Sequence, residues 1–214
     1  MDGHTAREQG IEWRQIDDAW QRIESWLERR APATLENLLP GASEAEIEGL
    51  QESLGVRLPI GLRALWSRRA GVGPEPTPGF MPGRCVLMPF EVVRRTYQQQ
   101  MLLRQSDEEA QRGAGDAEEI TVWRPSWIPF AAIGADALAG LCLDAETGRI
   151  WYWNEYAERS VKFESLTDYM EEMADVLEVP SLAEEARVGL MNGFLVWGAP
   201  RDDAERAVWE PLAG

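Results

Sequence analysis

Bond-making at neutral pH usually begins with an imidazole, a reactive thiol or a metal cluster, and this chain has few of these groups. Its 214 residues include one histidine, His4, and two cysteines, Cys85 and Cys142. With a single imidazole close to the start, Ser-His-Asp and Cys-His arrangements and most general-base designs lack their base. Two cysteines far apart, with no histidine beside them, fall short of a zinc ligand set. Both lie in apolar contexts, R-C-V-L-M and G-L-C-L-D, which read as buried free thiols of a reducing compartment and not as a disulfide. Neither G-x-x-x-x-G-K-[ST] nor a strand followed by G-x-G-x-x-G is present, so the loops that cradle phosphates are missing. Carboxylates remain. The 37 aspartates and glutamates could supply the acid and base of a hydrolase, although no spacing singles out a pair. D-A-E-T-G, 144–148, lacks the ligand ladder of a calcium loop and reads as a hairpin turn that Asp144 caps. The expectation is a protein that is not an enzyme and carries no cofactor and no metal, with a carboxylate hydrolase as the catalytic alternative.

What the chain holds in quantity is tryptophan, with 10 residues. W-R-P-S-W-I-P-F-A-A-I-G-A-D-A-L-A-G-L-C-L-D-A-E-T-G-R-I-W-Y-W, 123–153, contains Trp123, Trp127, Trp151 and Trp153. Trp127, beside Ile128 and Phe130, is expected beneath a sheet, with Pro125 and Pro129 holding its approach extended. Trp151 and Trp153 share one face of a strand and Tyr152 takes the other. One face must meet the core. The second is expected to be covered by the rest of the chain, and if uncovered would suit a protein partner. Glu155 and Glu158 flank Tyr156 in W-N-E-Y-A-E, as solvated charge or as contacts to a basic partner. The candidate partner-binding residues are therefore Trp123, Asp136, Asp144, Trp151, Trp153, Glu155, Tyr156 and Glu158.

The elements that position them follow from periodicity. Trp13, Ile16, Trp20, Ile23 and Leu27 recur at helical spacing, which predicts a helix over 11–30 ended with the help of Pro32. Ser43 and Glu46 form a capping box for a helix striped by Ile47, Leu50 and Leu54 and stopped at Gly55. Pro59 opens the next, with Leu62, Leu65 and Trp66 inward. The Gly/Pro-rich 71–84 is a loop, C-V-L-M-P a strand and F-E-V-V-R-R-T-Y-Q-Q-Q-M-L-L-R-Q a helix. The polar 106–119 is expected to be a mobile surface loop. I-P-F-A-A-I is a strand, 138–153 a hairpin and V-K-F a further strand, followed by a helix from Ser165. A capping box at Ser181 and Glu184 predicts one more helix, to about Gly193, after which F-L-V-W-G packs back on the body. Helices, then mainly antiparallel strands, then a helix argue for an α+β fold. The domain organisation drawn from this is a flexible tail over 1–10, one domain over 11–178 and an extension over 179–214 packing on it.

The formal net charge is −16. Such a chain repels nucleic acid phosphates and anionic lipid, so neither a nucleic acid nor a membrane is expected as a partner. A basic protein is favoured, or the charge simply serves solubility. No apolar run approaches the length of a membrane helix, and M-D-G-H-T-A-R-E-Q-G has no hydrophobic segment of a signal peptide, so a cytoplasmic protein is expected.

L-L-P-G-A-S-E-A-E-I-E-G-L-Q-E-S-L-G-V-R-L-P-I-G-L-R-A-L-W-S-R-R-A-G resembles the N-terminal signature of the SUKH superfamily: a Pro-Gly-Ala turn, a helix of the type E-I-x-x-L-E-x-x-L-G, then L-P and a second helix ending near glycine. Gln51 stands where an acidic residue is usual, and Ala70 where asparagine is frequent. W-x-P-x-W-I-P-F-A, the acidic positions Asp136 and Asp144, Gly148 and S-L-T-D-Y-M are similar to the second half of the same pattern, so the resemblance covers about 13–178. It implies a mainly antiparallel twisted sheet surrounded by helices, and a partner-binding role. In bacterial relatives that role is typically an immunity protein that neutralises a cognate polymorphic toxin, and for this chain the expected mechanism is occlusion of the toxin's active site. In fungal relatives it is a regulatory scaffold of cell-wall synthesis.

Overall fold

The computed structural model describes residues 3–75, 77–113, 121–134, 136–182 and 187–212. Helix α1, Gly3–Arg30, buries Ile16, Trp20, Ile23 and Leu27 along the stripe set by its periodicity. It begins at Gly3, so the segment expected as a flexible tail is helical from that residue on, with the backbone of His4 in the first turn. Good helix formers such as Ala6, Arg7, Glu8 and Gln9 prolong a helix that the buried stripe anchors downstream. Pro32 does more than end α1: it opens α2, Pro32–Glu36, where its missing N–H costs nothing.

Helix α3, Glu44–Leu54, is closed at its start by the reciprocal box: the Glu46 carboxylate accepts from the Ser43 N–H at 2.7 Å, and Ser43 Oγ accepts from the Glu46 N–H at 3.3 Å. Gly55 ends it in the left-handed region, φ 65°. The Pro-Gly-Ala turn before it is bonded to the end of α4, Ile60–Arg68: the Ala42 N–H donates to Trp66 O at 2.9 Å and the Ala70 N–H to Pro40 O at 3.2 Å. A Cβ at position 41 would stand 1.9 Å from Ser67 O, so only glycine admits this approach.

Strands β1 (Val86–Leu87), β2 (Trp127–Ile133), β3 (Ala139–Asp144), β4 (Ile150–Asn154) and β5 (Arg159–Phe163) form one antiparallel sheet in sequence order. Helix α5, Phe90–Gly113, follows β1, and α6, Leu166–Glu178, follows β5 with Ser165 as N-cap. The expected loop at 106–119 is helical as far as Gly113; its remainder lies outside the described residues. An apolar stripe is not required there, because an exposed helix can be carried by pairs such as Arg104–Glu108 at 2.7 Å. One sheet face, with Ile128, Phe130, Leu141, Leu143, Ile150 and the half-buried Tyr152, joins the core shared with α1, α3, α4 and α6. The opposite face carries Trp127, Cys142, Trp151 and Trp153 and closes against Trp123 and Met101. Among the described residues no helix is long and apolar enough to cross a membrane.

The helix expected to run to about Gly193 is corrected. After a 3-10 turn at Pro180–Leu182, and beyond 183–186, which lie outside the described residues, come β6 (Val188–Met191), β7 (Phe194–Trp197), α7 (Asp203–Val208) and β8 (Trp209–Pro211), in the antiparallel order β7-β6-β8. Asn192 and Gly193, with φ of 50° and 81°, form the two-residue turn that V-G-L-M-N-G-F-L-V-W specifies as a hairpin. This second sheet meets the body through the buried Leu195 N–H, which donates to Thr34 Oγ1 at 2.8 Å, and the Trp197 N–H, which donates to Gly79 O at 2.7 Å.

Candidate functional site

The aromatic stretch folds into a network on the outer face of the sheet. Trp123 meets Trp127 and Trp153 edge to face, at centroid separations of 5.4 and 6.0 Å, and Trp127 stacks on Trp151 at 4.8 Å. Edge-to-face packing sets a positive ring edge on a neighbour's negative face. Trp123 and Trp153 are buried and Trp151 is half-buried. Trp123 and Trp153 therefore present almost no atoms to a partner, and their place is the framework beneath the surface. The indole N–H groups of Trp123, Trp151 and Trp153 find no hydrogen-bond acceptor among the described residues.

Asp144 is buried at the far end of β3, where it builds the turn into β4. Its carboxylate accepts from the Glu146 N–H at 3.1 Å and the Thr147 hydroxyl at 2.9 Å. Burial acts to raise its carboxyl, but hydrogen bonds from the Glu146 N–H and from Ser126 and Thr147 outweigh it and hold the group below the ordinary aspartate value. It is a structural group and offers no rim charge. The two thiols are also enclosed: burial pushes Cys85 up to about 12 and Cys142 well above the usual thiol value, so neither supplies a thiolate at neutral pH.

The other four candidates converge. Ala139 pairs with Asn154, which puts the β2–β3 turn and the β4–β5 loop at the same end of the sheet. Asp136 of the turn and Glu155, Tyr156 and Glu158 of the loop are all exposed there, Tyr156 at 78%, with Leu138 exposed beside them. Asn154, which sequence reasoning passed over, organises the loop. Its Oδ1 accepts from the N–H groups of Tyr156 and Glu158, both at 3.0 Å, and its side-chain amide donates to the Glu158 carboxylate at 2.6 Å. An asparagine at the end of a strand is an Asx-turn signal that could have revealed it. Arg159, also missed, ties the rim loop to α5. It donates to Asn154 O at 2.9 Å and to Gln100 Oε1 of α5 at 3.4 Å, and its guanidinium lies over the Trp123 ring at 6.0 Å. The outcome is a rim at one end of the sheet that exposes three carboxylates and a projecting phenol, braced by an asparagine turn and, through Arg159, by the tryptophan network. Such a surface can attract a cationic protein and anchor it by one aromatic side chain.

The family model described as SMI1 / KNR4 family (SUKH-1) matches residues 41–172. A protein named KNR4/SMI1 homolog 2, from Debaryomyces hansenii, is 37% identical over 75 residues, which is 34% of this chain and 12% of that protein. The matched span contains the whole rim and all four tryptophans of the network, whereas the whole of α1 and α2 and the whole β7-β6-β8 sheet fall outside it.

Proposed function

Because the chain belongs to the SMI1/KNR4 family, SUKH-1, we propose that it works by binding another protein, as an immunity protein that neutralises a cognate toxin of basic character in the cytoplasm. The observation that supports this reading most is the acidic rim: Asp136, Glu155 and Glu158 exposed at the same end of the sheet as Tyr156. Long-range attraction from a molecule of net charge −16 speeds the approach of a cationic toxin. Tyr156 then supplies rigid aromatic area at low entropic cost, and Asn154 holds the loop in the binding geometry beforehand. Neutralisation follows from occlusion, with no bond made or broken.

The test is co-expression with toxin domains encoded beside the gene, with binding followed by calorimetry. The wild-type chain is expected to protect cells and bind. A variant carrying Tyr156→Ala, Glu155→Gln and Glu158→Gln is expected to fold equally well and bind at least about tenfold more weakly, a loss of about 1.4 kcal/mol or more. Binding unchanged in that variant removes the rim from the site, and no protection against any neighbouring toxin removes the immunity role. A second reading, a regulatory scaffold acting inside its own cell, draws support from the likeness to the Debaryomyces hansenii protein. It predicts an endogenous partner in a cell with no adjacent toxin gene.

A further inference from the structure

The two sheets have four edges, and three of them are occupied or blunted. Beside β1 the Val72 N–H donates to Leu87 O at 3.1 Å, and the edge of β7 is taken up by Thr34 Oγ1 and Gly79 O. Strand β8 has three residues and ends on Pro211, which has no N–H to offer a neighbour. The fourth edge is the outer side of β5, and no other segment among the described residues forms a backbone hydrogen bond with it. An unpaired edge is a template for a further strand, and every second copy of the chain carries the same edge. Apolar surface lies beside it. Val161 is 36% exposed and pairs with the half-buried Trp151.

Lys162 stands on this edge. It is the only lysine of the chain, and all the other basic residues among the 21 Lys and Arg are arginine. Ile150 faces Phe163 and Trp151 faces Val161, so Lys162 is the extra residue of a β-bulge and the regular ladder stops at it. Its ammonium lies 5.6 Å from the centre of the Tyr152 ring, and Tyr152 packs on the core-facing side of the sheet. The side chain therefore leans inward over a half-buried ring while staying exposed to water. We propose that Lys162 is the guard of β5 and keeps two copies of the chain from pairing edge to edge. A strand laid along β5, about 4.8 Å away, would carry its own side chains over the same spot and take the ammonium out of water, with only an aromatic face as partner. Glu158 and Glu164 flank β5 and could neutralise it from a second copy, but they are engaged by Asn154 at 2.6 Å and by Arg149 at 2.9 Å. An arginine would guard less well, because its guanidinium is more weakly hydrated and stacks on aromatic rings. The net charge of −16 also holds copies apart, but salt screens that field, whereas the cost of drying one ammonium is local and remains. None of this rests on the immunity reading.

The test follows self-association of the full chain by sedimentation and by amide hydrogen exchange at 160–163. It runs at up to about 0.5 mM protein in about 0.5 M salt, where the Debye length is about 4 Å and repulsion between copies is small. The wild-type chain is expected to show no protection at 160–163 that grows with concentration. Lys162→Val, at an exposed position, is expected to associate at least about tenfold more tightly and to slow exchange there. Lys162→Glu keeps a charge at the edge and is expected to behave as wild type. A single lysine also permits a route without a variant: acetylation of the folded wild-type chain by an acetyl N-hydroxysuccinimide ester. The Nζ–acetyl amide bond forms, the ester bond breaks, N-hydroxysuccinimide leaves and the ammonium protons displaced go to solvent. The product is uncharged at 162 and is expected to associate as Lys162→Val does. Lys162→Glu treated alike reacts only at its N-terminus and is expected to stay as it was. The proposal is overturned if the wild type itself pairs through 160–163, or if folded Lys162→Val or the acetylated chain associates no more than wild type. It is equally overturned if association leaves exchange at 160–163 unchanged, or if Lys162→Glu associates as tightly as Lys162→Val. The acetylated chain decides the matter even if Lys162→Val fails to fold.

Discussion

Asp144 shows how one residue type can serve the turn and not the partner. Its carboxylate lies below its ordinary value because the hydrogen bonds of the folded turn favour the ionised form. Its contribution is therefore present above the unfolded value, about 3.9, and disappears as pH falls through the lower folded one. Asp144→Asn should cost about 1–3 kcal/mol at pH 7 in urea unfolding, with the gap to wild type closing as the medium is acidified. A gap that does not change with pH would show that the carboxylate's charge is irrelevant to the turn. Asp144 was legible as a turn residue from D-A-E-T-G. Its burial was not legible, because the residues that cover it, Ser126 and Trp127, belong to the preceding strand and its approach.

The tryptophan network and the rim above it should separate stability from binding at the level of elements. Trp153→Ala, which empties a site between β4 and Trp123, should cost about 3–5 kcal/mol in stability. Tyr156→Ala, in a loop whose backbone bonds are accepted by Asn154, should stay within about 0.5 kcal/mol of wild type. Equal losses in thermal unfolding would contradict this division between framework and surface. Two of the elements that differ from the sequence expectation have local reasons. Residues 106–113 carry no apolar stripe, yet the helix that starts at Phe90 runs on through them, with Arg104 paired to Glu108. Residues 188–197 contain the Asn-Gly turn of a hairpin, and the cap-like spacing of Ser181 and Glu184 acts only within one turn and does not set the conformation of the strands beyond it.

At the scale of the whole molecule, charge and the seam to the second sheet govern behaviour. If the rim meets a basic toxin, raising salt from about 0.05 to about 0.5 M should cut the association rate at least tenfold, with a much smaller change in dissociation, as screening shortens the Debye length well below about 10 Å. A rate indifferent to salt would mean that the negative field plays no part in the encounter. The seam depends on the Thr34 hydroxyl, which accepts from the buried Leu195 N–H. Thr34→Val should leave that donor unpaired, cost about 1–3 kcal/mol and render residues 187–212 more open to proteolysis.

The sequence by itself determined the scarcity of groups for bond-making, the periodic stripes of α1, α3, α4 and α6, the 138–153 hairpin and the family signature. Each of these is written in neighbours within a turn or two of one another, where helical or strand spacing and cap chemistry act directly. Tertiary structure decided which aromatic residues face solvent: Trp123 and Trp153 went beneath the surface while Tyr156 stayed out. It also set Asp136 at the same end of the sheet as Glu155 and Glu158, through the pairing of Ala139 with Asn154. Burial and register depend on which strands meet, and that choice belongs to the free energy of the whole core, not to any window of sequence.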